Sequence, residues 1–133
     1  MKYLLDTHTL LWTLLETDKI PSHVREVIED RKNEIYVSTI SLWEIALKTA
    51  IGKMDFENFD IEKIPNYIEK IGFGVIELSA REAVESARLP AHANHKDPFD
   101  RILVWQSITR KMIFISKDRR VEEYARDGLK HLW

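Results

Sequence analysis

Four short apolar runs, separated by stretches with helical periodicity, constrain the fold of this chain more than any other feature. They are Tyr3-Leu4-Leu5, Ile35-Tyr36-Val37, Val75-Ile76-Glu77-Leu78 and Met112-Ile113-Phe114-Ile115. The last three are rich in β-branched or aromatic residues, and short near-continuous runs of this kind suit strands covered on both faces. Residues 129–132 offer a fifth strand. Between the runs, Leu10, Leu11, Leu14 and Leu15 fall on one helix face, and Val24, Val27 and Ile28 on another. Ile40, Trp43, Leu47, Ala50 and Ile51 follow a 3.6-residue stripe that ends at Gly52. Ile61, Ile64, Ile68 and Ile71 form a further stripe before Gly72, with Pro65 in its first turn. Phe99, Ile102, Leu103, Val104, Trp105 and Ile108 make a helix apolar nearly all round, which predicts burial on several sides. Strands alternating with helices predict an α/β fold with a parallel sheet and right-handed crossovers.

At 133 residues, with only 4 Gly and 4 Pro and no linker-like stretch, the chain reads as a single domain over 1–133. An apolar share of 44% and a charged share of 32% fit a globular protein. The absence of cysteine excludes disulfides, zinc–cysteine sites, iron–sulfur clusters and thiol nucleophiles. Twenty basic against 22 acidic residues, a net charge of -2, argue against a polycation that coats nucleic acid by charge alone. Asp6 interrupts the first apolar run, and no run reaches the length of a membrane span, so a cytoplasmic protein without membrane association is expected.

In parallel sheets ligands gather beyond the carboxyl ends of the strands. The first run is followed there by Asp6, the second by Ser38 and Thr39 with Glu44 in the next helix, the third by Ser79, and the fourth by Ser116-Lys117-Asp118. Asp6 suits a helix N-cap, and a carboxylate that caps still has lone pairs for a metal. Glu44 falls within the apolar stripe of its own helix. A buried unpaired carboxylate is costly, so it needs a core ion pair or a polar cleft that holds a cation. Asp97-Pro98-Phe99-Asp100 is a complete helix start, with Asp97 as N-cap and Pro98 at the first position, so Asp97 reads mainly as structural. Asp118 also suits a cap. Asp6, Glu44, Asp100 and Asp118 nevertheless share one placement, and carboxylates that converge without a cation repel one another. An all-oxygen donor set points to Mg²⁺ or Mn²⁺, with one ion or two left open.

The segments Leu4-Leu5-Asp6-Thr7-His8, Ser38-Thr39-Ile40-Ser41-Leu42-Trp43-Glu44-Ile45, His95-Lys96-Asp97-Pro98-Phe99-Asp100-Arg101-Ile102-Leu103 and Ile115-Ser116-Lys117-Asp118, in this order, resemble the PIN-domain family, and more narrowly its VapC-type toxins. The resemblance covers essentially the whole chain. It implies a three-layer α/β/α sandwich with a central parallel sheet of four to five strands. It also implies a Mg²⁺-dependent endoribonuclease, with Mn²⁺ as substitute, that hydrolyses RNA with metal-activated water. Asp6, Glu44, Asp100 and Asp118 would be its catalytic and metal-binding acids, with Asp97 and Ser116 as accessory positions. A homodimer and a cognate antitoxin are the partners it implies.

Lys117, Arg119 and Arg120 surround Asp118 and are the expected RNA contacts, while Trp12 and Trp43 lie on helices near the site edge. His8 reads as a solvated side chain, and His92 and His95 lie in a loop without a zinc-ligand pattern. Two other functions compete. A phosphotransfer protein, phosphatase or receiver-like, also places an Asp after a parallel strand, but the phosphatase pattern wants an acid where His8 stands. A non-catalytic RNA-binding module fits poorly with four acids on one sheet edge.

Overall fold

The computed structural model describes residues 1–92 and 95–133. Strands β1 (Lys2–Leu5), β2 (Glu34–Ser38), β3 (Gly74–Ile76), β4 (Ile113–Ile115) and β5 (Lys130–Leu132) form one sheet in the order β3-β2-β1-β4-β5. Every neighbouring pair is parallel, with Leu5 opposite Ile115 and Ser38 opposite Ile76. All four apolar runs and the fifth candidate therefore become strands of one parallel sheet.

Alternation along the strands divides the interior into two cores. Tyr3, Leu5, Ile35, Val37 and Ile115 point to one face, where they meet helices α1 (Thr7–Leu15), α2 (Ser22–Glu29) and α4 (Ile64–Ile71) through Leu10, Leu11, Val24, Ile28, Ile64 and Ile68. Leu4, Ile76 and Phe114 point to the other. There they meet helix α6 (Pro98–Thr109) and the 3₁₀ segment Arg119–Asp127 through Leu103, Val104, Val121 and Tyr124. Helix α3 (Thr39–Ala50) gives Ile45 to the first core and Ile40 to the second. The result is the expected three-layer α/β/α sandwich. Helix α6 is covered on several sides, as its all-round apolar pattern requires, with Phe99, Ile102, Trp105 and Ile108 packed partly buried around its sheet-facing residues.

Two local expectations change. The run at residues 75–78 gives a strand that stops at Ile76. The Glu77 carbonyl is instead an acceptor for Arg110 Nη2 at 2.8 Å, which takes it out of the ladder. That arginine also grips Glu82, at 2.7 and 2.8 Å, on helix α5 (Ala80–Glu85). At the start of β3, a Cβ on Gly74 would lie 2.6 Å from the Tyr36 ring, so the close approach of β2 and β3 requires glycine there.

The second change concerns α3. Beyond Ile40 its apolar stripe does not face the core: Trp43 is 59% exposed, and Leu47 and Ile51 are exposed as well. The buried side carries Ser41, Glu44 and Ile45. Polar contacts set this rotation. Ser38 caps the helix directly from the end of β2, accepting from Ile40 N at 3.1 Å. Thr7 Oγ1 donates to Glu44 Oε1 at 2.5 Å and lies 3.1 Å from Ser41 Oγ, which clamps the polar side of α3 onto α1. Among the described residues, no helix is long and apolar enough to cross a membrane.

Candidate metal centre

The sheet order reverses at β1, which pairs with β2 on one side and β4 on the other. The crevice beyond the carboxyl ends of β1 and β4 is the topological switch point, where such folds place ligands. Asp6 leaves β1 into this crevice, and Ser116-Lys117-Asp118 leaves β4 into it.

Asp6 is tied down at both ends. Its backbone N–H donates to the Ile115 carbonyl at 3.0 Å, and its Oδ1 accepts from Thr9 N at 2.7 Å as the N-cap of α1. It is only 7% exposed. Burial pushes its carboxyl above the ordinary value, and the opposing hydrogen bonds from Ser116 and Thr9, with the nearby His8, do not cancel that push. Asp118 caps the segment Arg119–Asp127, accepting from Arg120 N at 3.0 Å. Burial also pushes this carboxyl up. The Arg120 guanidinium, 2.9 Å from each oxygen, outweighs it together with His95 and holds the group below its usual range. Ser116 is buried between the two acids, hydrogen-bonded to Asp6 while its Oγ accepts from Asp118 N at 3.1 Å. Asp100 sits in the first turn of α6, its N–H donating to the N-cap Asp97 at 3.1 Å.

Asp6, Asp100 and Asp118 line one cleft of about 280 Å³, together with His8, Trp12, Lys117 and Arg120. Lys117 Nζ lies over the Trp12 ring, 5.7 Å from its centroid. Neither Asp97 nor the exposed Arg119 lines this cleft. Asp97 spends its side chain on the cap.

Glu44, expected beside the other three acids, does not line the cleft either. It is 2% exposed, with one oxygen taken by Thr7 and the other ion-paired to Lys48 one helical turn on. Burial disfavours the Lys48 ammonium, but the bond and charge of Glu44, with the charges of Asp97 and Asp100, outweigh that and raise its pKa. Lys48 thus stands between Glu44 and the acids of α6. The carboxylate is resolved partly as a buried ion pair, and it reaches the site through its neighbours.

The residue that sequence reasoning passed over is His95. It is 1% exposed, and its Nε2 points at the acids, 3.7 Å from Asp100 Oδ2 and 3.8 Å from Asp118 Oδ2. These three side chains bring one ligand-type atom each within 4.8 Å of one another. Nε2 has no hydrogen-bond partner among the described residues, while Nδ1 lies 2.8 Å from Tyr124 Oη. Tyr124 Oη also accepts from Arg101 Nη1 at 2.9 Å. His92 faces elsewhere, its Nε2 3.0 Å from Asp127 Oδ2. The signal for His95 in the sequence was its place, two residues before the Asp97 cap. It carried no periodicity and no ligand spacing. A buried nitrogen without a hydrogen-bond partner among the described residues, facing two carboxylates, is a donor set that fits a divalent cation.

A PIN domain profile matches residues 3–127. Comparison with curated protein sequences gives no significant match. Among solved structures, the fold is similar to VapBC2 from Rickettsia felis bound to a DNA fragment from their promoter, with TM-score 0.72, 15% identity and coverage of 99% of this chain and 98% of the other. It is also similar to DNA-bound VapBC from Salmonella typhimurium, with TM-score 0.65, 18% identity and coverage of 99% and 97%. VapBC-1 from nontypeable Haemophilus influenzae gives TM-score 0.67, 17% identity and the same coverage. With a profile spanning nearly its whole length and a sheet whose switch point gathers three acids, the chain belongs to the PIN domain family.

Proposed function

We propose that this chain is a divalent-metal-dependent endoribonuclease, one nuclease domain over residues 1–133, that acts in the cytoplasm as the toxin of a toxin–antitoxin pair. The observation that carries the reading is the meeting of Asp6, Asp100 and Asp118, from three separate elements, on one cleft at the switch point. A bound Mg²⁺, with Mn²⁺ as substitute, supplies acidity to water and neutralises charge on a scissile phosphodiester. Asp6, Asp100 and Asp118 hold it. Ser116 fixes the mutual position of Asp6 and Asp118. Glu44 serves from one side chain further out, keeping Thr7 and Lys48 in place, and Asp97 keeps Asp100 at the helix start. Lys117 and Arg120 at the cleft mouth, with Arg119 beyond them, take the RNA backbone, and Trp12 offers a face for a base.

The antitoxin half of the reading rests on a second groove. It measures about 490 Å³, shares His8 and Trp12 with the cleft, and is lined by Leu11, Met54, Phe56 and Phe59 with Glu16, Asp55 and Glu57. An apolar floor with acidic residues suits a partner segment that carries apolar anchors and basic side chains. The similarity to VapBC complexes supports the same partner class. A homodimer is the other proposed assembly, and the exposed apolar side of α3 supports it.

The test is cleavage of a mixed RNA pool with Mg²⁺, with Mn²⁺ and with EDTA. Cleavage is expected with either metal, is lost in EDTA, and is abolished in Asp6→Asn and Asp100→Asn. RNA that stays intact under every condition, or wild-type cleavage in both variants, overturns the proposal.

A further inference from the structure

We propose that His95 is a nitrogen ligand of the metal, so that the site is a mixed nitrogen–oxygen set with Asp100 and Asp118 that favours Mn²⁺ over Mg²⁺. The inference rests on the metal-dependent reading above and changes its all-oxygen chemistry. Nε2 of His95 is buried, has no partner among the described residues, and lies 3.7 and 3.8 Å from the nearest oxygens of Asp100 and Asp118. Those separations are too long for hydrogen bonds and suit donors that share one ion between them.

The hydrogen bonds behind the ring assign its tautomer. Arg101 has only protons to give, so it donates to Tyr124 Oη, at 2.9 Å. The hydroxyl proton has an acceptor in the His95 carbonyl, 3.5 Å away. The remaining lone pair of Oη then accepts from Nδ1–H of His95 at 2.8 Å. This arrangement uses every group once and leaves the lone pair of Nε2 directed at the carboxylates. It is the orientation in which a metal-bound histidine is normally held from behind, with Tyr124 as the outer support and Arg101 fixing Tyr124. Arg101 is itself anchored, by the Leu89 carbonyl at 2.8 Å and the Pro90 carbonyl at 3.1 Å. Imidazole nitrogen suits first-row transition ions, whereas Mg²⁺ is bound by oxygen and gives up its water reluctantly.

The experiment is pulsed electron paramagnetic resonance of Mn²⁺ bound to the whole protein, with natural-abundance and ¹⁵N-histidine-labelled samples, alongside calorimetric titration of Mn²⁺ and Mg²⁺. The wild type is expected to show coupling to a directly bound nitrogen that changes with the label. His95→Gln should lose that coupling and bind Mn²⁺ about 10–100-fold more weakly, with a smaller loss for Mg²⁺. His8→Gln should retain the coupling. Tyr124→Phe, which keeps the ring and removes only Oη, should keep it too while weakening Mn²⁺ binding about tenfold. Mn²⁺ bound without nitrogen coupling in the wild type overturns the inference and leaves the nuclease reading intact. No Mn²⁺ binding to the wild type overturns both. If His95→Gln does not fold, the labelled wild-type spectrum read together with that of labelled His8→Gln decides the matter: coupling that persists in His8→Gln supports the inference, and coupling lost there overturns it.

Discussion

Replacing Asp6 by Asn separates a helix cap from a metal ligand through the order of two melting curves. In the metal-free protein the Asp6 carboxyl is raised above its ordinary value of 3.8, chiefly by burial. Ionising it is therefore harder in the folded chain than in the unfolded one. Stability falls as pH climbs from the unfolded value through the folded one. Asn keeps an oxygen for Thr9 N and carries no charge. It should stabilise the metal-free protein by about 1–2 kcal/mol, the scale of a poorly compensated buried group. For a chain of this length that raises Tm by roughly 4–8 °C. Asp6→Ala forfeits about 1 kcal/mol of that gain with the cap. Mn²⁺ reverses the order. A ligand at about 100 times its Kd adds about 2.7 kcal/mol, or roughly 10 °C, to the wild type and much less to a variant that has lost a ligand. The assay is thermal unfolding of both proteins at pH 7 in EDTA and in saturating Mn²⁺. A wild type that melts above the Asn variant in EDTA, by a gap that Mn²⁺ leaves unchanged, would show Asp6 to be a structural cap and refute the reasoning.

Other perturbations have equally definite outcomes. Asp97→Ser retains a cap oxygen for Asp100 N, so cleavage and Tm should change little, whereas Asp97→Ala should lose about 1 kcal/mol; a loss of cleavage in the Ser variant as large as that of Asp100→Asn would place Asp97 among the ligands. Lys48→Met strips the buried Glu44 of its counter-ion and should cost about 2–4 kcal/mol in denaturant titrations, with Glu44→Gln in the same chain restoring most of it. Glu82 is held at about 2 by hydrogen bonds from Arg110, which outweigh burial. Its contribution, roughly 2 kcal/mol, is present above its ordinary value of 4.5 and drains away as pH falls toward 2. Melting curves of the wild type and Glu82→Gln should therefore converge over that interval. Titrating the proposed antitoxin at several Mn²⁺ concentrations should show competition, since basic side chains and the ion would seek the same carboxylates. Inhibition that ignores Mn²⁺ would move the partner elsewhere.

The sheet was legible because its signal is local. Short β-rich runs and the stripes between them name both the strands and the order βαβ, and right-handed crossovers leave few ways to arrange them. Asp6 and Asp118 were legible for the same reason, since each follows a strand directly. The orientation of helix α3 is not legible from its apolar stripe, on the rule that such a stripe faces inward. The rule fails where polar groups on the other side find strong partners, as Ser41 and Glu44 do with Thr7 and Lys48. Lys48 lies four residues after Glu44, so the ion pair itself was readable as spacing. The placement of His95 was not, because Tyr124 and Arg101 come behind its ring only in the folded chain.

The position of β1 in the middle of the sheet sets an order on biosynthesis. Of the five strands, β1 is made first and finds β2 early, but its other edge waits for β4, more than a hundred residues later. Asp6 is fixed there by the Ile115 carbonyl, and its companions Asp100, Ser116 and Asp118 all arrive late in translation. A nascent chain thus carries its first acid before the crevice around it exists. Long-range parallel pairing of this kind is also slow, so the groove beside α1, whose lining lies within residues 8–59, is synthesised well before the cleft is complete.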